Sequence, residues 1–259
     1  MKKELVFCIP SYRRSGEKIK TLELFPISKV FVCESEVEEY QKNNPEGDFE
    51  VVSDAIQGNV CRVRNFILDM YRDSCVVMLD DDISGILHME VNGNIKSWKE
   101  VEKEKLVGLF CHFADLCEEW GFDYFGLQCN SDSMVSRNIT PFSTVSFIGG
   151  PVQGFLPSNR CRYDERLPLK EDYDMTLMQC NERRGCLRFN LYCYHAKQSE
   201  QKGGCASYRT ISREKEQFEM LRKKWGSKIV KIDRSNKGRS KKKKVIDYNP
   251  IIHIPIKGV

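Results

Sequence analysis

The sequence predicts an α/β fold in which a mostly parallel sheet is flanked by helices. Short apolar runs rich in β-forming residues alternate with stretches of helical periodicity, a pattern typical of parallel strands joined by crossover helices. The run Val76 to Leu79 is followed by three acids, and open α/β sheets bind ligands at the carboxyl ends of their strands. With 259 residues and 41% hydrophobic content, the chain can bury a core of this kind.

Seven apolar segments are predicted to form strands, since they combine β-branched and aromatic residues between turn signals. They are Leu5–Ile9, Lys29–Cys33, Phe49–Val52, Cys75–Leu79, Tyr124–Cys129, Thr144–Ile148 and Leu187–Cys193.

Helices are predicted where apolar residues recur at three- and four-residue steps. The clearest case places Leu106, Phe110, Phe113, Cys117 and Trp120 on one buried face. Ser212 is the predicted N-cap of the last helix, and Gly185 the stop of the helix before it. The predicted helices are Gly16–Leu24, Glu36–Lys42, Val60–Arg72, Val101–Trp120, Glu171–Arg184 and Arg213–Trp225.

The basic charge of the chain is concentrated near its carboxyl end. Residues Lys231 to Lys244 include eight basic side chains and one acid, whereas the whole chain carries a net charge of only +4. Such a strip is either a solvated loop or a contact for a polyanion. The apolar run Ile251–Ile256 follows it. We therefore predict a core over residues 1–210 and an extension over 211–259, with a helix, a basic loop and a terminal strand packed on the core.

The twelve cysteines are predicted to be free thiols in a reducing compartment. They lie inside apolar runs such as Val6–Ile9 and contain no C-x-x-C pair, which favours buried thiols over disulfides or a zinc site. The first apolar run, Leu5 to Pro10, is too short for a signal peptide or a membrane span. These features predict a cytoplasmic protein without membrane contact.

Asp80, Asp81 and Asp82 form the strongest candidate for a metal site. In an extended chain Asp80 and Asp82 would point to one side and Asp81 to the other. Paired carboxylates suit Mg²⁺ or Mn²⁺, ions that bridge protein carboxylates to substrate phosphates. A solvated acidic turn would have the same composition, but three adjacent acids repel one another unless a cation is present.

Several motifs, taken in order, resemble the GT-A glycosyltransferases. Phe7–Arg14 ends the first strand, Glu34 ends the second, Gly58–Val60 precedes Arg64–Asn65, and Asp80–Asp82 follow the fourth. Within that fold, the sequence is similar to the TET-associated glycosyltransferases, a mostly phage-encoded group proposed to glycosylate hydroxymethylated pyrimidines in DNA. The resemblance implies a Rossmann-like fold that transfers a hexose or pentose from a UDP-sugar with Mn²⁺ or Mg²⁺.

The same resemblance implies which residues bind the donor. Residues of the first motif would wall the uracil and ribose, the acid that ends the second strand would bind the nucleoside, and the helix arginine would approach the sugar or diphosphate. The implied donor-binding residues are Pro10, Ser11, Tyr12, Arg14, Glu34, Arg64, Asp80 and Asp81.

For the metal, the resemblance implies Asp82 as the direct ligand and Asp80 as its support through the ribose or a bound water. His195, which follows a predicted strand, is the implied third ligand, although a lone histidine can equally be a surface residue. The ion would act as a Lewis acid on the leaving diphosphate.

Glu171 and Asp172 open a predicted helix and are the candidates for the catalytic base. Acids are also favoured there by the helix dipole alone. In inverting GT-A enzymes an acid at the matching place deprotonates the acceptor hydroxyl, which makes Asp172 the first choice and Glu171 the second. In a retaining enzyme the pair would instead position the acceptor.

The acceptor is expected near a glycine-rich turn and the basic strip. Gly149 and Gly150 would let the backbone approach a ligand closely, although a tight hairpin needs the same residues. A 5-hydroxymethylpyrimidine in DNA, within the host cytoplasm if the protein is phage-encoded, is the first candidate; a glycan, protein or small molecule is the alternative. The predicted acceptor-binding residues are Gly149, Gly150, Gln153, Lys241, Lys242 and Lys243, and the lysines could equally belong to a solvated loop.

Two other functions fit parts of the sequence. Asp80–Ser84 resembles the D-x-D-x-[TS] motif of haloacid-dehalogenase phosphatases, with Asp80 as nucleophile and Asp82 as acid/base; however, that motif normally follows the first strand. A non-catalytic protein that binds nucleic acid through its basic strip would use the acids only structurally.

Overall fold

The computed structural model describes residues 4–92, 95–129, 140–196, 203–233 and 248–255. The predicted contacts Lys241, Lys242 and Lys243 lie outside the described residues. In chain order the elements are β1 (Leu5–Pro10), α1 (Lys20–Leu24), β2 (Lys29–Cys33), α2 (Val37–Asn43), β3 (Asp48–Val52), α3 (Val60–Met70), β4 (Cys75–Leu79), β5 (Ile83–Asn92), β6 (Ile95–Glu100), α4 (Lys103–Glu119), β7 (Tyr124–Gln128), β8 (Phe142–Ser143), β9 (Val152–Phe155), α5 (Glu171–Arg183), β10 (Leu187–Ala196), α6 (Ile211–Trp225), β11 (Val230–Ile232) and β12 (Pro250–Ile252).

One large sheet organises the described part of the chain. Its strand order is β3-β2-β1-β4-β9-β7-β10-β5-β6, with β8 beside β10. Strands β3, β2, β1 and β4 pair in parallel, and β7 pairs in parallel with β10. Because β9 is antiparallel to both β4 and β7, those six strands all run in one direction. The predicted α/β class with a mostly parallel sheet is confirmed.

The sheet is buried on both faces. Successive residues of β4 alternate between two apolar clusters: Val77 belongs to one, and Val76 belongs to the other. Helix α4 covers the first face with residues such as Phe110, whereas α3 and α5 cover the second with Ile67 and Met175. Continuous apolar strands therefore result from helices on both sides of the sheet.

The aromatic stripe of α4 is part of the core, as predicted. Leu106, Phe110, Phe113 and Cys117 are buried, and the Phe113 ring stacks on a strand residue of β10. Trp120 departs from the prediction, because the helix ends one residue earlier and its side chain is 48% exposed.

The antiparallel strands were the main elements that sequence patterning missed. The predicted strand Thr144–Ile148 is absent, whereas β9 forms inside the glycine-rich segment that was read only as a turn. β5 and β6 continue from the acidic cluster as an antiparallel pair. Helix α6 begins at Ile211, not Arg213, because Thr210 supplies the cap: its Oγ1 accepts a hydrogen bond from the Arg213 N–H at 3.2 Å.

A third apolar cluster joins α6 to α5. Phe218 and Leu221 of α6 pack with Leu177 of α5 and with Val230 of β11. The domain boundary at residue 210 stays a prediction. Among the described residues, no helix combines the length and apolar character that a membrane crossing needs.

Candidate active site

A cavity of about 850 Å³ opens at the carboxyl edge of β1 and β4. It is lined by residues that follow these two strands, by the first turns of α3 and α5, by the turn before β9 and by the segment that leads into α6. Twelve of the sequence-predicted site residues line it: Pro10, Ser11, Tyr12, Arg14, Arg64, Asp80, Asp81, Asp82, Gly149, Gly150, Glu171 and Asp172.

Two of the three adjacent acids share the guanidinium of Arg14. This group forms an ion pair with the Asp81 carboxylate, and its Nη1 lies 4.0 Å from Oδ2 of Asp82. Asp81 also accepts a hydrogen bond from Ser11 Oγ at 2.5 Å. Burial nevertheless raises the pKa of Asp81 to about 6, and burial together with Asp80 raises the pKa of Asp82. The cluster is therefore short of positive charge in the isolated protein.

The geometry of the three acids differs from that of an extended strand. Asp80 turns toward Arg64, with Oδ1 and Nη2 3.1 Å apart, whereas Asp81 and Asp82 face Arg14. The expectation that Asp80 and Asp82 point to the same side is wrong, because β4 ends at Leu79 and the next residues form a turn. Strand alternation does not extend into that turn.

Arg64 connects the acidic cluster to α5. Its side chain is 3% exposed, and Nη1 lies 3.3 Å from Oε1 of Glu171 while Nη2 lies 3.1 Å from Asp80. Nη2 also donates to the carbonyl oxygen of Gly150 at 3.1 Å. One buried guanidinium therefore fixes three walls of the cavity relative to one another.

Glu171 and Asp172 occupy the first turn of α5, where both are half-buried and line the cavity. Burial raises the pKa of Glu171, and the neighbouring Asp172 raises it further, although Arg64 opposes this. Burial also raises the pKa of Asp172. Its Oδ2 accepts from the Gly150 N–H at 3.2 Å and its Oδ1 from the Tyr173 N–H at 2.8 Å. A carboxyl group with a raised pKa is suited to accept a proton near neutral pH.

The two glycines before β9 lie in closely packed surroundings, and Gly149 has no room for a side chain. A Cβ on Gly149 would lie 2.8 Å from Sγ of Cys129, which the site could accommodate only by moving. Gly150 brings its backbone between Arg64 and Asp172. The contact of this segment with an acceptor stays a prediction.

Three predicted residues do not line the cavity: Glu34, Gln153 and His195. Glu34 is exposed in a 3₁₀ turn after β2 and does not line it. Gln153 is buried between two tyrosines: its Nε2 donates to Tyr124 at 2.5 Å, and its Oε1 accepts from Tyr163 at 2.6 Å. Since both ends of its amide are engaged in the core, Gln153 cannot contact an acceptor as predicted.

His195 is exposed and does not join the acids. Its neighbour Tyr194 lines the cavity, and strand alternation turns the next side chain of β10 to the opposite face. Among the described residues, no group of three or more His, Cys, Asp and Glu side chains is placed to hold a metal ion. A ligand set of Asp80, Asp82 and His195 is therefore not assembled.

Several lining residues were missed by sequence reasoning. Gln57 and Tyr194 are more than nine-tenths buried, and in the described structure the Gln57 Nε2 and the Tyr194 hydroxyl have no hydrogen-bond partner. Tyr208, Glu214 and Tyr248 line the cavity from the carboxyl-terminal part of the chain. Only the position of Gln57 beside Gly58 offered a local signal; the others depend on how distant elements pack.

The acidic cavity lies in a protein of the glycosyltransferase class, as comparison with known families shows. The pattern of the TET-Associated Glycosyltransferase family matches residues 24–204, and the chain belongs to this family. That membership replaces the phosphatase and non-catalytic interpretations, and the acids indeed follow the fourth strand, not the first.

Solved glycosyltransferase structures are similar at low sequence identity. S. aureus TarS 1–349 in complex with UDP is 14% identical at a TM-score of 0.46, covering 74% of this chain and 59% of that chain. The mannosyltransferase PcManGT from Pyrobaculum calidifontis, in complex with GDP-Man and Mn²⁺, is 11% identical at a TM-score of 0.48, and the match covers 73% of this chain and 55% of that chain. Glucosyl-3-phosphoglycerate synthase from Mycobacterium tuberculosis, in complex with Mg²⁺ and UDP, is 9% identical at a TM-score of 0.46, and the match covers 82% of this chain and 78% of that chain. No curated protein matches the chain in sequence.

Proposed function

We propose that this protein transfers a sugar from a UDP-sugar to the hydroxyl group of a 5-hydroxymethylpyrimidine in DNA, with the help of Mn²⁺ or Mg²⁺. One observation carries the proposal: the acids after β4 and the acids that open α5 face the same cavity, and Arg64 bridges them. A transferase needs both groups, one at the leaving diphosphate and one at the acceptor.

The donor would occupy the side of the cavity formed by β1 and the start of α3. Pro10 and Tyr12 line this side, and Gly58 adopts a left-handed φ of +80° next to the Tyr12 ring. A side chain larger than glycine would be strained in that conformation. The flat ring and the narrow backbone would suit a nucleoside, and Arg14 and Arg64 would suit its phosphates.

Asp82 would be the carboxylate that holds a divalent cation, because Asp80 is paired with Arg64. Asp82 is buried, yet its nearest cation, Arg14 Nη1, is 4.0 Å away and thus beyond hydrogen-bond distance. Hard oxygen ligands suit Mg²⁺ and Mn²⁺, which commonly take further ligands from water and substrate phosphates. When bound, the ion would stabilise negative charge on the leaving diphosphate.

Asp172 or Glu171 would accept the proton of the acceptor hydroxyl. Both line the cavity, and burial raises the pKa of each. General-base catalysis contributes about 10² to 10⁴ in rate. If the reaction instead retains configuration, the same two carboxylates would orient the acceptor.

The family name supports a DNA acceptor. A hydroxymethylated base within a duplex could not reach acids at the floor of a cavity, so the base would have to be extruded or single-stranded. A glycan, a protein or a small molecule is the alternative acceptor. A DNA acceptor would place the protein in the cytoplasm, or in the host cytoplasm if a phage encodes it.

The test is UDP release from a panel of UDP-sugars with Mn²⁺, with and without DNA that contains hydroxymethylcytosine. We expect release to require the metal and to rise with the modified DNA. Asp82→Ala should abolish it, and Asp172→Asn should lower it about 10²-fold or more if Asp172 is the base. Asp69→Asn, on the exposed side of α3, is the matched control and should leave release unchanged.

The outcomes separate the parts of the proposal. Metal-dependent release that does not change when DNA is added would support the transferase activity and contradict the DNA acceptor. No release with any UDP-sugar, in a folded wild-type protein, would contradict the proposed donor.

A further inference from the structure

The wall of the cavity formed by Gly204–Glu214, which we call the C-terminal wall, begins where the family match ends. The match stops at residue 204, yet Cys205, Tyr208, Arg209 and Ile211 all line the cavity. This side of the cavity therefore belongs to a segment that the family pattern does not cover.

The C-terminal wall carries aromatic, cationic and apolar groups. Tyr208, Arg209 and Ile211 line the cavity, and Arg213 is exposed beside them. The guanidinium of Arg213 lies 5.9 Å from the centre of the Tyr208 ring. Arg209 is 46% exposed, and Ile211 is 60% exposed, a large value for an isoleucine. Stacking rings next to arginines are the groups that bind single-stranded nucleic acid, whose bases stack while its phosphates pair with guanidinium groups.

A second arginine–tyrosine pair extends this surface. The Arg13 guanidinium lies 5.1 Å from the centre of the Tyr12 ring. The Gly204 N–H donates to the carbonyl oxygen of Tyr12 at 2.8 Å, so the two pairs are joined through the backbone.

Charge differs between the floor and the mouth of the cavity. The floor holds five carboxylates, from Asp80 to Asp82 and from Glu171 to Asp172, against the two guanidiniums of Arg14 and Arg64. A phosphodiester strand would be repelled there in the absence of bound metal. Beside the cavity, Arg213 and Arg13 are exposed, and Arg209 is 46% exposed while its Nε pairs with Oε1 of Glu214 at 3.1 Å. A strand is therefore expected to keep its phosphates at the mouth and to insert one base.

The wall is firmly attached to the helix that carries the candidate base. The buried Lys170 ammonium, just before α5, forms an ion pair with Glu214 of α6. The Leu169 N–H donates to Oε1 of Gln217 at 2.7 Å, and this glutamine is buried as well. A ligand held on the wall would thus keep a fixed position relative to Glu171 and Asp172.

We infer that the C-terminal wall binds the acceptor strand, with Arg209 and Arg213 on its phosphates and Tyr208 stacked on a base beside the inserted one. The inference rests on the proposed DNA acceptor and deepens it. It assigns acceptor binding to described residues that no sequence motif had singled out.

The experiment measures the affinity of the full chain for a fluorescein-labelled single strand of about 16 nucleotides containing hydroxymethylcytosine. It is repeated from low to high salt. The variant Arg209→Gln/Arg213→Gln should bind about tenfold more weakly at low salt. Its plot of log affinity against log salt should be shallower by roughly 1.4, the value for two phosphate contacts on a single strand.

Tyr208→Leu should also weaken binding by about tenfold but leave the salt dependence unchanged, because stacking carries no net charge. Tyr208→Phe keeps the ring and should retain the wild-type affinity. The control Arg222→Gln removes one positive charge from the far end of α6, and its DNA affinity should stay within twofold of wild type.

UDP affinity is measured for every variant, to report on the donor side of the cavity separately. Equal DNA affinity in Arg209→Gln/Arg213→Gln and in Arg222→Gln would overturn the inference, and so would a parallel loss of UDP affinity. If a UDP-sugar is cleaved with metal but the wall variants bind DNA as the wild type does, the inference about the wall is wrong and the proposed function is retained. DNA binding that depends on the wall, without any cleavage of a UDP-sugar, would support the role of the wall and contradict the proposed function.

Discussion

At the scale of single residues, the site depends on charges that are buried and shared. Arg64 is the clearest case, since its guanidinium contacts Asp80, Glu171 and the Gly150 carbonyl while almost fully buried. Breaking one partner of a buried ion pair leaves an uncompensated charge, which costs far more than the loss of an exposed pair.

Replacing Arg64 with methionine should lower the free energy of unfolding by about 3 kcal/mol or more. The carboxylates of Asp80 and Glu171, which are 36% and 12% exposed, would lose their common cation. Urea unfolding at pH 7 measures the change. Arg62→Met is the matched control, because Arg62 lies on the same helix with a side chain 47% exposed and pairs with Glu165. Its change should stay below about 1 kcal/mol, and equal changes in the two variants would contradict the role given to Arg64.

The raised pKa of Glu171 predicts how stability changes with pH. A carboxyl whose folded pKa lies above its usual value of 4.5 keeps a proton that the unfolded chain releases. Its contribution to stability is therefore complete below that value and is lost as the pH rises toward the folded pKa. One such proton gives a slope of at most roughly 1.4 kcal/mol per pH unit.

In Glu171→Gln this contribution disappears, so the free energy of unfolding should fall less between pH 5 and pH 8 than in the wild type. Urea unfolding at several pH values tests it. Glu165→Gln, at an exposed carboxylate, should keep the wild-type slope. If the Glu171→Gln slope matched that of the wild type, burial would not be raising the pKa of this group.

At the scale of elements, the site is built by strands that end at one edge and helices that begin there. β1 and β4 supply the donor side and the acids, while α3 and α5 supply Arg64 and the candidate base. Strand β9 lies between β4 and β7 and holds the preceding glycine turn against α5. Changes in β9 should therefore affect the whole arrangement.

Gly154 in β9 is a direct test of this packing. A Cβ there would lie 2.1 Å from the Phe125 ring, so Gly154→Ala should destabilise the fold by about 1–3 kcal/mol through overpacking. Gly108→Ala in α4 is the counterpart, because nothing lies within 4 Å of its Cβ position. It should stabilise the fold by about 0.5–1 kcal/mol through helix propensity. Chemical denaturation measures both, and a Gly154→Ala protein as stable as the wild type would show that β9 can shift.

At the scale of the whole molecule, the sheet buries most of the cysteines. Of the twelve, all of them among the described residues, Cys111 is the exposed one. Burial raises the pKa of the Cys33 thiol to about 11 and that of Cys193 to about 12. Buried thiols with a raised pKa contain little thiolate, the reactive form.

A thiol reagent at pH 8 should therefore label one cysteine rapidly in the folded protein and all twelve in denaturant. Cys111→Ser should remove the fast phase and leave the denatured count at eleven. Mass spectrometry of the labelled protein counts the modified sites. Rapid labelling of many sites in the native protein would mean that the sheet opens readily.

The sequence by itself determined the α/β class, the strands β1 to β4, the long buried helix α4 and the position of the acids at the end of β4. These features are local, because they follow from periodicity and from the turn signals that border each run. The acids after β4 were located by the same local reasoning, since ligands bind at the carboxyl ends of parallel strands. Most of the other predicted residues that line the cavity came from the family resemblance, such as Pro10, Tyr12 and Arg64.

Only the tertiary structure decided how those residues face one another. Asp81 and Asp82 lie in a turn, so the alternation of strand side chains does not apply to them. His195 lies on the face of β10 that points away from the cavity, and Gln153 is hydrogen-bonded to two tyrosines in the core. The C-terminal wall depends on α6 packing against α5, more than forty residues away along the chain, as in the hydrogen bond from Leu169 to Gln217. Such contacts join distant segments, and a local pattern of residues cannot specify which distant side chain will fill a given space.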